Sequence, residues 1–143
     1  MNSPLILEQK LKAPIEKVWK ALTDKEEMKK WYFDIPDFKL ELHHRFYFYE
    51  PGEEKRFLHE GKILEFIPNK KLKHSWAYPE LTLLQTMLTW ELTEVEQETN
   101  LLLRHEGLEN FQHLGPEFSL ENFQLGWNEN VKIQLRNYVE QQV

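Results

Sequence analysis

The N-terminal part of the chain alternates between apolar and charged positions before it changes to a helical pattern. Leu5, Leu7 and Leu11 alternate with charged side chains, and this period of two predicts a half-buried strand. In the segment APIEKVWKALTD that follows, apolar residues recur every three or four positions, which predicts an amphipathic helix. Pro14 suits the first turn of that helix, where a missing N–H costs nothing. Asp24 is followed three residues later by glutamate, the spacing of a capping box, so a second short helix is predicted to begin there.

From Pro36 onward the pattern is that of antiparallel strands. Alternating or aromatic runs predict strands in residues 38–42, RFYFYE, FLHEGKILEFI, LKHSWAY, LLQTMLTWELT and TNLLLRHEG. The segments EPGEEK, Pro68-Asn69 and EVEQE lie between these runs and are typical of turns.

The alternation in the last two strands predicts how they pair. If they form a hairpin around EVEQE, Trp90 pairs with Leu103 and His105 falls opposite Leu88. Both strands agree with this register, since a shift of one residue would turn every side chain to the opposite face. His105 is therefore predicted to point into the apolar, concave face of the sheet.

The segment SLENFQLGWNENVKIQLRNYVE predicts one long helix over residues 119–140. Ser119 is a suitable N-cap. An apolar stripe runs along the helix and consists of Leu120, Phe123, Trp127, Val131, Leu135 and Tyr138. Gly126 lies on the flank of this stripe, although glycine costs about 1 kcal/mol relative to alanine inside a helix. We interpret it as a point of close packing against a strand or the short helices; room for a ligand is the alternative.

The order of elements predicts the architecture. A strand, two short helices and a run of antiparallel strands precede one long helix. An antiparallel sheet with one apolar face needs a covering layer, and the last helix is the element that can supply it. We therefore predict an α+β fold in which a curved antiparallel sheet wraps around the long C-terminal helix.

The composition is that of a folded chain that does not bind polyanions. Of the 143 residues, 41% are hydrophobic and 29% are charged, which suits one domain over residues 1–143. The formal net charge of -6 argues against nucleic-acid binding, which depends on Lys and Arg. No apolar run has the length of a membrane span and no signal peptide is visible, so we expect no membrane insertion and a cytoplasmic location.

Several blocks of sequence occur in an order that resembles a known superfamily. These blocks are APIEKVWKALTD, KKWY, EGKILEFIPNKKLKHSW, TNLLLRHEGL and the pair GW in the last helix. The series resembles the START-like superfamily, also called SRPBCC or birch-pollen-allergen-like. Within it, the chain is most similar to the group named after the C-terminal domain of the activator of the heat-shock-protein-90 ATPase. Many relatives have a glycine pair where this chain has His43 and His44.

The resemblance implies a helix-grip fold with an apolar cavity between the curved sheet and the C-terminal helix. It does not imply one activity, because relatives carry lipids, bind hormones, cyclise polyketides or assist a chaperone. Function therefore has to be argued from the residues of the site.

The residue pattern gives little support to metal or nucleophilic chemistry. The chain has no cysteine, no His-x-His on a strand and no His-Glu-x-x-His on a helix, so we predict neither a metal nor a cofactor. None of the three serines lies in a glycine-flanked elbow. His105 is a weak candidate for a catalytic acid or base, because burial among leucines would keep it neutral. Pairing around Pro68-Asn69 would also bring His74 near Glu65.

Aromatic residues give the strongest indication of a binding site. They make up 13% of the chain, and many fall on the predicted inward faces. Such rings either fill a core or line a small-molecule cavity. The predicted ligand-binding residues are Trp76, Trp90, His105 and Trp127, with Tyr32 and Phe111 near an entrance made of loops.

Three functions remain open at this point. The first is binding of a small apolar or amphipathic molecule between sheet and helix. The second is a polyketide cyclase or aromatase in which His105 is the acid or base. The third is interaction with a protein partner, either a chaperone ATPase that it activates or a second copy in a homodimer.

Overall fold

Six antiparallel strands form one curved, unclosed sheet that holds a long C-terminal helix, as predicted. The computed structural model describes residues 4–50 and 57–141 of the chain. The strands are β1 (Leu5–Leu11), β2 (Arg45–Tyr49), β3 (Leu58–Ile67), β4 (Lys71–Ala77), β5 (Gln85–Val95) and β6 (Glu98–Glu106). Their order in the sheet is β1-β6-β5-β4-β3-β2, so β1 and β2 are the edges. The predicted EPGEEK turn begins at Glu50, and the rest of it lies outside the described residues.

The helices lie between β1 and β2 and after β6. Helices α1 (Ile15–Thr23) and α2 (Lys25–Trp31) follow the first strand, as predicted, and Asp24 caps α2 by accepting the backbone N–H groups of Glu26 and Glu27. Two 3₁₀ helices, Leu108–Leu114 and Pro116–Phe118, follow β6. The final helix, α3, covers residues 120–139, and the side chain of Ser119 caps it by accepting the backbone N–H of Asn122.

The centre of α3 is wider than an α-helix. Its three consecutive segments are α-helical Leu120–Trp127, π-helical Asn128–Leu135 and α-helical Arg136–Val139. The row buried against the sheet has a constant spacing of four residues and consists of Trp127, Val131, Leu135 and Val139. In a regular α-helix such a row would rotate away by about 40° at each step. The wider π-helical turns offset this rotation and keep the row facing the core.

The hairpin of β5 and β6 has the predicted register. Trp90 pairs with Leu103, and Leu88 pairs with His105. The alternate residues of β5 from Thr86 to Leu92 are buried, as the period of two predicted. This hairpin therefore places His105 inside the core, where its side chain is 0% exposed.

The predicted approach of His74 to Glu65 is wrong. His74 pairs with Ile63, and Glu65 pairs with Lys73, because the register shifts between Ile63 and Glu65. This irregularity in β3 turns the two side chains to different surroundings. His74 is buried, whereas Glu65 forms an ion pair with Lys71.

The predicted strand over residues 38–42 is also absent from the structure. Its backbone makes local turns instead: the N–H of Glu41 donates to the carbonyl of Lys39, and the N–H of His44 donates to that of Glu41. His43, which follows, has a left-handed φ of 69°. Glycine adopts this conformation without steric cost, and histidine is among the non-glycine residues enriched in it.

Candidate ligand-binding cleft

Trp127 joins α3 to the concave face of the sheet. Its ring centroid lies 5.3 Å from that of Trp76 on β4, 5.7 Å from that of Trp90 on β5 and 6.3 Å from that of Tyr32 after α2. The two contacts between tryptophans are edge-to-face and the contact with Tyr32 is stacked, and both arrangements add to the stabilisation from burial alone. The structure therefore brings together the three tryptophans and the tyrosine that the sequence analysis selected.

A chain of hydrogen bonds runs from this tryptophan through His105 into the sheet. The indole Nε1–H of Trp127 donates to Nδ1 of His105 over 3.1 Å, so the neutral imidazole carries its proton on Nε2. That Nε2–H donates to Oγ1 of Thr86 over 2.7 Å, and the Thr86 hydroxyl donates to the carbonyl of Trp76 over 3.1 Å. Both ring nitrogens of His105 are thus occupied, and the residue cross-links α3, β6, β5 and β4.

The cleft opens between α3 and β4. It has a volume of about 210 Å³. Aromatic rings dominate its wall, and three polar side chains lie among them. The lining consists of Phe33, Trp76, Tyr78, Glu117, Asn122, Phe123, Gly126, Trp127 and Asn130. A concave aromatic surface with a few polar groups is the usual construction of a small-molecule site.

Gly126 faces the open space of this cleft. A Cβ atom built on Gly126 would meet no heavy atom within 4 Å. The interpretation of Gly126 as a point of close packing is therefore wrong, and the alternative that we left open, room beside the helix, describes the structure. Asn130, one helical turn further on, belongs to the π-helical segment, a feature that often occurs at functional sites.

A second, smaller cavity lies deeper in the core. Its volume is about 20 Å³, enough for one water-sized group. Trp76 lines both this inner cavity and the outer cleft, so its ring forms part of the wall between them. Tyr32, Trp90 and His74 also line the inner cavity.

Burial keeps the titratable groups of this region uncharged. Loss of hydration lowers the pKa of His105 to about 3, with a smaller contribution from the neighbouring ring of His74. Burial likewise lowers the pKa of His74 and of His59 to about 4. Burial also raises the pKa of Tyr78 above its ordinary value, so its hydroxyl stays protonated. The aromatic interior is neutral near pH 7.

Two of the predicted residues lie elsewhere than expected. Phe111 is fully buried and packs against Tyr78 and Phe123, so it lies behind the cleft lining. Tyr32 lines the inner cavity, with its hydroxyl buried. The burial of Phe111 contradicts its predicted place at an entrance, whereas Tyr32 is only partly buried as a whole residue. His105 lines neither space and supports both walls through its hydrogen bonds.

The sequence analysis missed several residues of the cleft wall. Phe33 and Phe123 contribute rings, and Asn122 and Asn130 contribute amides. The position of Tyr78 could have been found, since it shares a face of LKHSWAY with Trp76. The other positions depend on how α3 is rotated, which periodicity alone does not determine.

The described residues show no group suited to a metal and no membrane-spanning helix. Within residues 4–50 and 57–141, no three His, Asp or Glu side chains lie close enough to hold a metal ion. None of the helices in this part of the chain is both long enough and apolar enough to cross a bilayer.

The sequence profile of one protein family matches residues 12–140, and its description is Activator of Hsp90 ATPase homolog 1-like protein. The chain belongs to this family. Membership in the Activator of Hsp90 ATPase homolog 1-like family confirms the resemblance to START-like proteins that the sequence blocks indicated. A comparison with curated proteins gives no significant match.

Solved structures share the fold of this Activator of Hsp90 ATPase homolog 1-like chain. MLL2253 from Mesorhizobium loti is 22% identical with a TM-score of 0.79, over 96% of this chain and 97% of the other. CV1439 from Chromobacterium violaceum is 20% identical with a TM-score of 0.80, over 99% and 100%. BH1534 from Bacillus halodurans is 25% identical with a TM-score of 0.77, over 97% and 98%. The likeness covers nearly the whole of each chain and concerns the fold.

Proposed function

We propose that this protein binds a small apolar or amphipathic molecule in the cleft between α3 and β4. The observation that carries the proposal is the cleft of about 210 Å³, where Gly126 leaves space between aromatic rings. Burial of apolar ligand surface against these rings supplies the binding free energy. The side chains of Asn122, Asn130 and Tyr78 would orient a polar group at the rim.

A panel of hydrophobic ligands, titrated while tryptophan fluorescence is recorded, tests this proposal. Trp76 and Trp127 line the cleft, so an occupant changes their surroundings and their emission. Gly126→Leu should abolish the fluorescence response, because the new side chain grows into the space that the ligand needs. Gln124→Leu is the matched control: it adds the same side chain to the same helix, outside the cleft lining.

Each outcome of this titration has a clear meaning. Saturable responses in the wild type and in Gln124→Leu, with loss in Gly126→Leu, support the proposal. The proposal fails if no ligand changes the emission of the wild type, or if Gly126→Leu responds like the wild type.

The geometry argues against the enzymatic alternative. A polyketide cyclase or aromatase based on His105 needs a free lone pair or a transferable proton at the substrate. Trp127 and Thr86 occupy both nitrogens of this ring, and the ring lines neither cavity. We therefore assign His105 a positioning role.

Activation of a chaperone ATPase is the alternative that the family description favours. Titration of an Hsp90-type ATPase with this protein tests it, and an unchanged rate of ATP hydrolysis would remove it. A homodimer and a cytoplasmic location remain predictions from the sequence.

A further inference from the structure

The hydroxyl of Tyr32 is a buried polar group that lacks a hydrogen-bond partner within residues 4–50 and 57–141. Its oxygen is shielded from solvent and makes no hydrogen bond to any described residue. Burial raises the pKa of Tyr32 well above its ordinary value, so the hydroxyl keeps its proton and can donate it. A buried hydroxyl without a partner is destabilising, and folded proteins satisfy nearly all such groups. Tyr32 lines the inner cavity. Because its hydroxyl oxygen is shielded even from a water-sized group, an acceptor in this cavity reaches it only if the surrounding rings move apart.

The inner cavity offers a matching but sparse set of polar groups. Of the residues that line it, His74 is the second with a free hydrogen-bonding position. Its Nδ1 donates to the carbonyl of Ser75 over 2.8 Å, which leaves Nε2 as an acceptor on the neutral ring. The indole N–H groups of Trp31 and Trp76 are already bonded, to the carbonyl of Ala21 and to the hydroxyl of Tyr78. The remaining lining is mainly aliphatic and aromatic.

The same lining excludes a charged group. No Lys or Arg contributes to it, and burial lowers the pKa of His74 to about 4, so no positive charge is present near neutral pH. A carboxylate in this space would be buried without a counter-charge, which is strongly unfavourable. The volume of about 20 Å³ accepts one group of the size of a water molecule. A single neutral oxygen meets these conditions.

The inner cavity lies directly behind the wall of the outer cleft. Trp76 lines both, and the ring of Tyr32 lies 4.4 Å from that of Phe33, which lines the outer cleft. A shift of the Trp76 ring would join the two spaces.

We propose that the inner cavity is the deep end of the same site, an inference that rests on the ligand-binding function proposed above. It takes a neutral ketone or hydroxyl oxygen at the end of a flat ring system, and this oxygen hydrogen-bonds to Tyr32. The ring system itself occupies the outer cleft, beside Trp76 and Trp127. The ligand class is thus a neutral, oxygenated cyclic compound, not a fatty acid inserted by its carboxylate.

Two probes of nearly the same shape test this inference: indan-2-one, with a terminal C=O group, and 2-methyleneindane, with C=CH₂ in its place. Their dissociation constants are measured by NMR on protein labelled at the methionine methyl groups and at the tryptophan indole N–H groups. Met28 lines the inner cavity and reports occupation of the deep end, whereas Met87 lines neither space and serves as an internal control.

The decisive variant is Tyr32→Phe, which retains the ring and removes the hydroxyl. We expect the ratio of ketone affinity to alkene affinity to fall about tenfold relative to the wild type, the effect of one lost hydrogen bond. Tyr138→Phe is the matched control: its hydroxyl donates to Glu27 over 2.9 Å, away from both linings, and the ratio should stay unchanged.

The possible results separate this inference from the function on which it rests. If both probes bind but Tyr32→Phe leaves the affinity ratio unchanged, the ligand oxygen does not reach the hydroxyl and the inference is overturned, while ligand binding stands. The inference also fails if the probes shift the indole signals of the outer cleft but not the Met28 methyl. If neither these probes nor the hydrophobic panel bind, the proposed function fails together with it.

Discussion

Replacement of Gly126 by alanine should stabilise the protein. A Cβ at this position meets no heavy atom within 4 Å, so the added methyl group causes no steric conflict. The position lies in the α-helical segment Leu120–Trp127, where alanine is favoured over glycine by about 1 kcal/mol. For a chain of this size, that gain raises the melting temperature by about 4 °C. Thermal unfolding followed by far-UV circular dichroism, at several scan rates, measures the difference.

Gly61→Ala is the matched comparison, because the same atom added there has the opposite effect. Gly61 on β3 pairs with Phe46, and a Cβ on Gly61 would collide with the Phe46 ring. Forcing that ring out of its place should cost about 1–3 kcal/mol. A Gly126→Ala protein that unfolds at a lower temperature than the wild type would refute our description of the cleft, since it would mean that a neighbour does pack against the helix there.

Three further results are expected from the buried polar groups and the helix cap. Below about pH 6.5 the unfolded chain binds protons at His59, His74 and His105. In the folded chain the pKa is about 4 for His59 and His74 and about 3 for His105, so these side chains stay neutral until the pH approaches those values. The free energy of unfolding therefore falls as the pH drops, by about 3 kcal/mol per histidine at pH 4. An unchanged midpoint of urea unfolding between pH 7 and pH 5 would contradict this. His105→Ala should lower the free energy of unfolding by about 2–4 kcal/mol in urea titrations, because it leaves the Trp127 indole N–H unbonded; equal stability would argue against the hydrogen-bond chain. Ser119→Ala should cost about 1 kcal/mol in the same assay through loss of the N-cap, and a smaller cost after Gln124→Ala provides the reference.

The parts of the fold that the sequence predicted are those with a regular period. The β5–β6 register followed from alternation on both sides of a short turn, and the pairing of Trp90 with Leu103 was correct. The β3–β4 register was not predictable in this way, because the register shifts between Ile63 and Glu65. The segment ILEFI at this point has apolar residues at both odd and even positions, so alternation does not define one inward face there. The prediction of a strand over residues 38–42 failed for a different reason, because short-range turn hydrogen bonds replace the strand ladder there.

The aromatic rings of the site could be predicted from the sequence, but the shape of the space between them could not. Trp76 and Trp90 were found because residues on one face of a strand stay together. Whether a ring fills the core or lines a space depends on the rotation of α3, and the π-helical segment Asn128–Leu135 changes that rotation without a clear sequence signal. The depth of the Tyr32 hydroxyl and the position of Phe33 depend on tertiary packing after α2, where no periodicity guides the assignment.

The bonded indole groups have a consequence for how this protein would discriminate among compounds. The indole N–H groups of Trp31, Trp76 and Trp127 each donate to an acceptor within the protein. These side chains therefore offer a ligand only their π-electron faces and edges. Stacking on such surfaces rewards planarity and penalises bulk out of the plane, with little dependence on the pattern of donors and acceptors around the molecule. At these three indoles, the thickness of a compound would decide whether it stacks, and the preference for a terminal oxygen would depend on the Tyr32 hydroxyl alone.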